Sequence, residues 1–331
     1  MSLDDRCRRL IDDLGLSGDL RSVTPLGGGV ASDIAVLDLG DRRLCAKFAL
    51  AKLKVAADWF APVRRNRAEY EWLRFAGSVV PQAVPHLYGW SAAENGFAME
   101  FLEGDGVTLW KGAILRGEPM PVRETAARVG DVLGRIHAAS TAPGFDTGAF
   151  RNREDFHALR IEPYLLFTAT RHPDLAGRLT GLAEALFARE GVLVHGDVSP
   201  KNILMRGDEP VLLDAECATM GDPAFDGAFC LNHLILKAVH VPELRDDLLA
   251  SSGAFWQAYA AHISWEGAEA LEERVCALLP ALMLARVDGK SPVEYLSEDE
   301  RDFVRQVSRA LIADPPTDLA RIIEFLRGKL P

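Results

Sequence analysis

The stretch GVLVHGDVSPKNILMRGDEPVLLDAE, residues 191–216, constrains the fold more than any other. Three short apolar runs read as strands, and GDEP, between the last two, reads as a turn. Pairing those two, NILMR and VLLD, as an antiparallel hairpin centred on Asp208 sets position 202 opposite position 214. Asn202 opens one strand and Asp214 closes the other, so the two would lie about 5 Å apart at the backbone. The polar loop before the hairpin carries Asp197, five residues ahead of Asn202. The plainer alternative is a solvated loop beside a polar hairpin.

An Asn oxygen and an Asp carboxylate at one strand end suit a hard cation such as Mg²⁺. Glu216, two residues past Asp214, would point to the same side if the chain stays extended, adding a second carboxylate. Asp197, near the ion but not bound to it, suits a base that orients an attacking hydroxyl. Phosphoryl transfer needs such an arrangement, because positioning and charge neutralisation do most of its work. Lys201 would neutralise phosphate charge, and His195 would brace the loop.

The chain changes character near residue 104. Before it, short β-like runs dominate: SDIAVLDLGDRRLCAKFAL is two apolar runs around Gly40-Asp41-Arg42, and GFAMEFL (96–102) is another strand. Between them RRNRAEYEWLRFAG reads as a helix ending at Gly77. After residue 104 helical patterns prevail; in VRETAARVGDVLGRIHAAS, Ala126, Val129, Leu133, Ile136 and His137 share one face. These patterns predict an α+β chain with a small β-rich lobe, residues 1–103, and a larger, mainly helical lobe, residues 104–331. The 331 residues bury ample core, and 48% hydrophobic with 26% charged residues is a globular balance.

Five scattered cysteines with no CxxC pair point to reduced thiols in a cytoplasmic protein and away from a zinc site. No run reaches the apolar length of a membrane span, and the N-terminal stretch, with Leu3, Leu10 and Leu14 as its stripe, reads as an amphipathic surface helix rather than a secretion signal. A net charge of −11 without a basic stripe argues against nucleic acid and is compatible with a cationic substrate.

HGDxxxxN followed twelve residues later by an Asp, in HGDVSPKNIL…LLDAE, resembles the kinase-like small-molecule phosphotransferases, among them aminoglycoside phosphotransferases, choline kinases and methylthioribose kinases. The resemblance implies a two-lobed, protein-kinase-like fold that binds ATP and Mg²⁺ in its cleft and phosphorylates a small-molecule hydroxyl. PLGGGVAS (25–32) offers Gly27, Gly28 and Gly29 as a loop able to approach phosphates closely. Lys47, set between apolar strand neighbours, needs a partner. Glu69 shares a helix face with Trp72, Leu73 and Ala76, so a Lys47–Glu69 ion pair is expected. By resemblance, Met99 lines the back of an adenine pocket, the Glu100 carbonyl and Leu102 amide bond the adenine edge, and Asp226 braces the catalytic loop.

The Asp-x-Glu at 214–216 is similar to methylthioribose kinases, whereas Asn202 follows the aminoglycoside and choline kinase pattern, and ARVDGK lacks the paired arginines of the former. The resemblance therefore leaves the acceptor open among aminoglycosides, sugars such as methylthioribose and amino alcohols. Candidate acceptor contacts are Arg286, Asp288, Lys290, Trp256 and Asn232. The rival readings are a nucleotide-binding pseudokinase with a regulatory role and a metal-dependent hydrolase.

Overall fold

The computed structural model describes residues 2–27, 32–52, 62–118 and 120–330. Gly28 and Gly29 lie outside the described residues. A five-stranded antiparallel sheet forms the smaller lobe: β1 (Ser22–Leu26), β2 (Ser32–Asp38), β3 (Arg43–Ala49), β4 (Leu87–Ser91) and β5 (Gly96–Glu100), in the order β1-β2-β3-β5-β4. The β2–β3 turn closes through Leu39 N–H to the Arg42 carbonyl at 3.0 Å, with Gly40 at φ 91°.

Alternation along β3 decides what each face receives. Leu44, Ala46 and Phe48 pack with Cys7, Leu10 and Ile11 of α1 (Leu3–Asp13). Cys45 faces the other way, onto Trp72, Leu73 and Ala76 of α2 (Arg65–Val79). By the same parity Lys47 is aimed at α2 rather than at α1. Helix α2 runs past Gly77, where the sequence suggested a stop. A Cβ there would stand 2.9 Å from Val84 Cγ2, so this glycine permits a close approach and is not a cap.

The larger lobe starts with β6 (Val107–Leu109), α3 (Trp110–Leu115) and α4 (Val122–Ser140). The five residues expected on the inner face of α4 are all buried. After α5 (Arg153–Phe156), a π-helical segment His157–Leu166, α6 (Phe167–Arg171) and α7 (Ala176–Phe187) come β7 (Val192–Val194), β8 (Ile203–Arg206), β9 (Glu209–Leu212) and β10 (Thr219–Gly221). These form two small sheets, β6-β8-β9 and β10-β7. The helices α8 (Ala224–His240), α9 (Arg245–Ala260), α10 (Ala268–Asp288), α11 (Glu298–Ala313) and α12 (Leu319–Arg327) complete the lobe. A further cluster joins the lobes: Trp72 and Leu73 of α2 share one core with Val132, Ile136, Leu193, Leu212 and Ala215.

The β8–β9 register differs from the hairpin arithmetic by one residue. Arg206 faces Glu209 and Ile203 faces Leu212, so the loop is Gly207-Asp208 alone. Gly207 adopts φ 60° at the first central position, which a tight hairpin requires of a glycine. Asn202 therefore faces Leu213, whose N–H donates to its carbonyl at 2.9 Å, and Asp214 lies one residue beyond.

Helices α4 and α9 approach closely because Gly130 and Gly134 face Phe255 and Tyr259. A Cβ at 130 would collide with the Phe255 carbonyl, and one at 134 would sit 2.9 Å from the Tyr259 carbonyl. Gly181 in α7 has open space around it. Urea denaturation should show Gly130→Ala destabilised by about 1–3 kcal/mol and Gly181→Ala stabilised by up to about 1 kcal/mol; equal effects would contradict this packing.

Candidate active site

Strand β7 delivers His195-Gly196-Asp197 into the interior, and one carboxylate holds that turn. Asp226, in the first turn of α8, accepts from the backbone N–H of His195 at 2.6 Å and of Gly196 at 2.8 Å. His137 Nε2 stands 3.2 Å from the same carboxylate, and its Nδ1 is 2.9 Å from the Tyr259 hydroxyl. Burial alone would raise the Asp226 pKa, but the His137 hydrogen bond and charge hold it below the usual carboxylate range. Gly196 takes φ 77°, and a Cβ on it would stand 2.8 Å from Cys217 atoms, so only glycine fits. The His195 side chain is a brace. Its Nδ1 accepts from Asp197 N–H at 3.1 Å, so its Nε2–H donates to the Leu213 carbonyl at 3.1 Å. Burial lowers its pKa, consistent with this neutral tautomer.

Asp197 is 3% exposed, and its two oxygens differ. Oδ2 pairs with Arg160 Nη2 at 3.1 Å and Lys201 Nζ at 2.9 Å. Oδ1 is buried with no hydrogen-bond partner among the described residues. Arg160 also donates from Nε to the Gly196 carbonyl at 2.5 Å, so it ties both ends of the turn. Asn202 Nδ2 donates to the Asp197 carbonyl at 3.0 Å, linking the loop to the hairpin.

Lys47, 3% exposed, sits 2.7 Å from Glu69 Oε1 and also bonds Asp214 Oδ1. Burial opposes its charge, yet Asp214 and Glu69 outweigh burial and raise its pKa. Asp214 is the converse case: burial would raise it, but Lys47 and Lys201 hold it well below the usual range. Burial pushes the Glu69 carboxyl up to about 7 against the pull of Lys47. Glu71, on the same helix, is buried too, and pairs with Arg67 and, at 2.6 Å, Arg74.

The chain does not stay extended after Asp214, which takes φ 68°, so the same-side argument for Glu216 fails. Glu216 instead lies in the following turn, with Oε2 3.0 Å from Nε of the fully buried Arg65. Arg65 also donates to the Pro62 and Leu50 carbonyls at 3.0 and 2.7 Å. Asn202, Asp214 and Glu216 offer only hard oxygen donors, and no group of three or more His, Cys, Asp or Glu side chains among the described residues could hold an ion. Such a set fits a hard cation that completes its shell with water and phosphate oxygens, and it does not fit zinc.

Met99 is 8% exposed and pairs with Cys45 in the sheet. The Glu100 N–H donates to the His86 carbonyl at 2.7 Å, while its carboxylate accepts from His86 N–H at 3.1 Å and Arg206 at 3.0 Å. The Leu102 amide, past the strand end, makes no hydrogen bond among the described residues. Gly27 is exposed, and a Cβ there would meet nothing.

The acceptor candidates divide. Asp288 is bound by Arg305 at 2.8 Å and His172 at 2.9 Å, Lys290 by Glu162 at 2.8 Å, and Trp256 is buried against Tyr259. Asn232 and Arg286 are buried, each with one unpartnered polar atom. Sequence reasoning missed Arg160 and Arg65. An Arg inside the apolar run LRIEPYLL was a usable signal for the first; for Arg65, whose partner is 151 residues away, there was none.

A small antiparallel-sheet lobe joined to a larger helical lobe defines a protein-kinase-like fold of the phosphotransferase type. The solved choline/ethanolamine kinase family protein from Mesorhizobium loti is similar over 99% of this chain and 100% of its own, with TM-score 0.57 and 18% identity. The amicoumacin kinase hAmiN, solved in complex with AMP-PNP, Ca²⁺ and Ami, is similar over 97% and 98%, with TM-score 0.59 and 14% identity. Residues 22–265 match the phosphotransferase enzyme family, and the chain belongs to it. A methylthioribose kinase of Bacillus cereus (strain G9842) is 23% identical over 254 residues, 68% of this chain, and the match spans 63% of that protein's length. No helix among the described residues is long and apolar enough to cross a membrane.

Because Asp226 has a lowered carboxyl pKa, its stabilising effect is fully present above the unfolded value of about 3.9 and is lost as pH falls through the folded value. Asp226→Asn should lower stability by roughly 3 kcal/mol near neutrality. Thermal midpoints of variant and wild type should converge below about pH 4. A gap that stays constant into acid would contradict the brace.

Proposed function

We propose that this chain is an ATP- and Mg²⁺-dependent small-molecule kinase whose acceptor is a hydroxyl. The observation that carries the reading is the convergence of Lys47, Glu69, Asp197, Asn202 and Asp214, from distant segments, on one inter-lobe site. On this reading residues 1–103 form the nucleotide lobe, with Gly27–Gly29 over the phosphates and the Glu100 carbonyl and Leu102 amide toward adenine, against Met99. Residues 104–331 carry the catalytic loop and the acceptor site. Lys47, held by Glu69, turns from Asp214 to the nucleotide phosphates. Asn202 and Asp214 hold the metal, and Glu216 is the third candidate, its Oε2 shared with Arg65. Bound there, Mg²⁺ would neutralise phosphate charge.

Asp197 orients the acceptor hydroxyl. The unpartnered Oδ1 receives its proton, while Arg160 and Lys201 hold Oδ2 and so fix the direction of Oδ1. The new bond joins the acceptor oxygen to the γ-phosphorus, and the bond from that phosphorus to the bridging oxygen of ADP breaks. With two cations on one oxygen Asp197 is a weak base, which suits a transfer in which positioning matters more than proton abstraction. The five cysteines are free and buried, which fits a reducing, cytoplasmic setting.

Asp197→Ala should lower ATP turnover with acceptor by roughly 10²–10⁴-fold, while ATP with Mg²⁺ still raises the thermal midpoint. Unchanged turnover would remove Asp197 from its role. Stabilisation by ATP without turnover of any acceptor in the wild type would favour the regulatory pseudokinase, and no stabilisation at all the hydrolase.

A further inference from the structure

Helix α8 is buried along nearly its whole length, yet it carries His233 and Lys237 at 4% and 1% exposure. An ammonium out of water needs a counter-charge. Lys237 has no carboxylate partner among the described residues. Its hydrogen bond is a 3.4 Å contact to the His233 carbonyl, and its ammonium lies 5.2 Å from the Tyr295 ring centre. The charges that act most on it are the cations Lys111 and Arg286, ahead of the carboxylate Glu294. Arg286 reaches Tyr164 Oη at 3.2 Å and Ser291 Oγ at 2.9 Å, and its Nε is buried without a partner. Lys111 stands 6.0 Å from the other contact of Lys237, the Tyr295 ring. His233 Nε2 and the Tyr295 hydroxyl are also buried and unpartnered.

The charges that act most on His233 are Lys237, Arg286, Lys201 and Lys111, and with burial they hold it well below its usual pKa. The carboxylates that touch the cluster are already engaged: Glu294, with a side chain 68% exposed, is bonded to Lys111, and Asp197 to Lys201 and Arg160. Burial, then Lys111 and Arg286, push the Lys237 ammonium down to about 7. In a chain of net charge −11, Lys237 and Arg286 are buried cations with no carboxylate partner among the described residues, while Lys111 and Lys201 are each paired with one.

The cluster adjoins the transfer site. Helices α3 and α8 both pack against the turn Pro200–Asn202, and the Lys201 charge on that turn acts on His233 of α8. Tyr164, which Arg286 bonds, lies on the same π-helical segment as Arg160, one of the two partners of Asp197. A purely structural role for Arg286, pinning Ser291, explains its Nη1 but not its empty Nε or the buried Lys237.

We infer that Lys111, Lys201, His233, Lys237 and Arg286 form the acceptor-recognition site and bind an anionic group on the acceptor, a carboxylate or a phosphate ester. The acceptor is then an anionic hydroxy compound rather than a polycationic aminoglycoside or an amino alcohol. The inference rests on the phosphotransferase reading. The anion supplies the missing counter-charge, and a hydroxyl on the same molecule bonds the γ-phosphorus, losing its proton to Asp197 as ADP leaves.

The test is ADP formation with matched acceptors: gluconate, glucose, glucosamine and glucose 6-phosphate; glycerate, glycerol, choline and glycerol 3-phosphate. Turnover should be confined to the carboxylate or the phosphate members, and whichever responds separates the two sources. For that acceptor, Arg286→Gln and Lys237→Met should each raise KM on the order of tenfold or more, with the KM for ATP unchanged. Lys237→Met should also raise the thermal midpoint of the ligand-free protein, a gain in stability with a loss of binding that a structural lysine would not give. Lys111→Met, at a side chain 25% exposed, repeats the KM test if Arg286→Gln fails to fold. Preferred turnover of neutral or cationic members, or an unchanged KM in Lys237→Met, overturns the inference and leaves the kinase reading standing. Stabilisation by ATP with no anionic member turned over overturns it as well. Neither ADP formation nor stabilisation by ATP and Mg²⁺ removes both.

Discussion

The buried ammonium of Lys47 joins three segments far apart in sequence: β3, through its own backbone; α2, through Glu69; and the end of the β8–β9 hairpin, through Asp214. A lysine in that position is unfavourable without both carboxylates, and Asp214 is kept ionised in turn by Lys47 and Lys201. The two groups proposed to meet phosphate and metal therefore neutralise each other. A nucleotide carrying its own cation exchanges one set of counter-charges for another, so net charge need not be buried at any stage.

Below that pair the larger lobe holds the His195–Asp197 turn still. Asp226 gathers the N–H groups of His195 and Gly196, His195 reaches Leu213, and Arg160 spans Gly196 and Asp197. Each buried polar group acts on backbone as well as on side chains, and that fixes the direction of the Asp197 carboxylate without contacts from solvent. Within this held turn one oxygen of Asp197, Oδ1, is left without a hydrogen-bond partner among the described residues.

The strands, the main helices and the inward parity of Lys47 and Glu69 were legible from periodicity, since period 2 and period 3.6 each report one buried face. The hairpin arithmetic brought Asn202 and Asp214 to one strand end but misplaced the turn by half a residue, because it assumed a symmetric centre at Asp208 where Gly207 starts a two-residue loop. The left-handed backbone at Asp214, which redirects Glu216 toward Arg65, was not legible, since no glycine or asparagine marks it. Nor was the basic cluster. Lys237 lies in LILKAV, where a solitary charge on a helix is usually a solvated one, and only tertiary packing shows that this helix has no solvent face. The overall acidity, compatible with a cationic substrate, says little about a site whose local charge is opposite.

On the proposed function, Asp214 exchanges Lys47 for a nucleotide-bound cation. Calorimetric titration of ATP into the wild type and Asp214→Asn, with and without Mg²⁺, tests it most directly. The wild type should bind ATP at least tenfold more tightly with Mg²⁺ than without, and Asp214→Asn should lose most of that difference while still binding free ATP. An unchanged Mg²⁺ dependence in the variant, or no ATP binding by the wild type, would contradict the account.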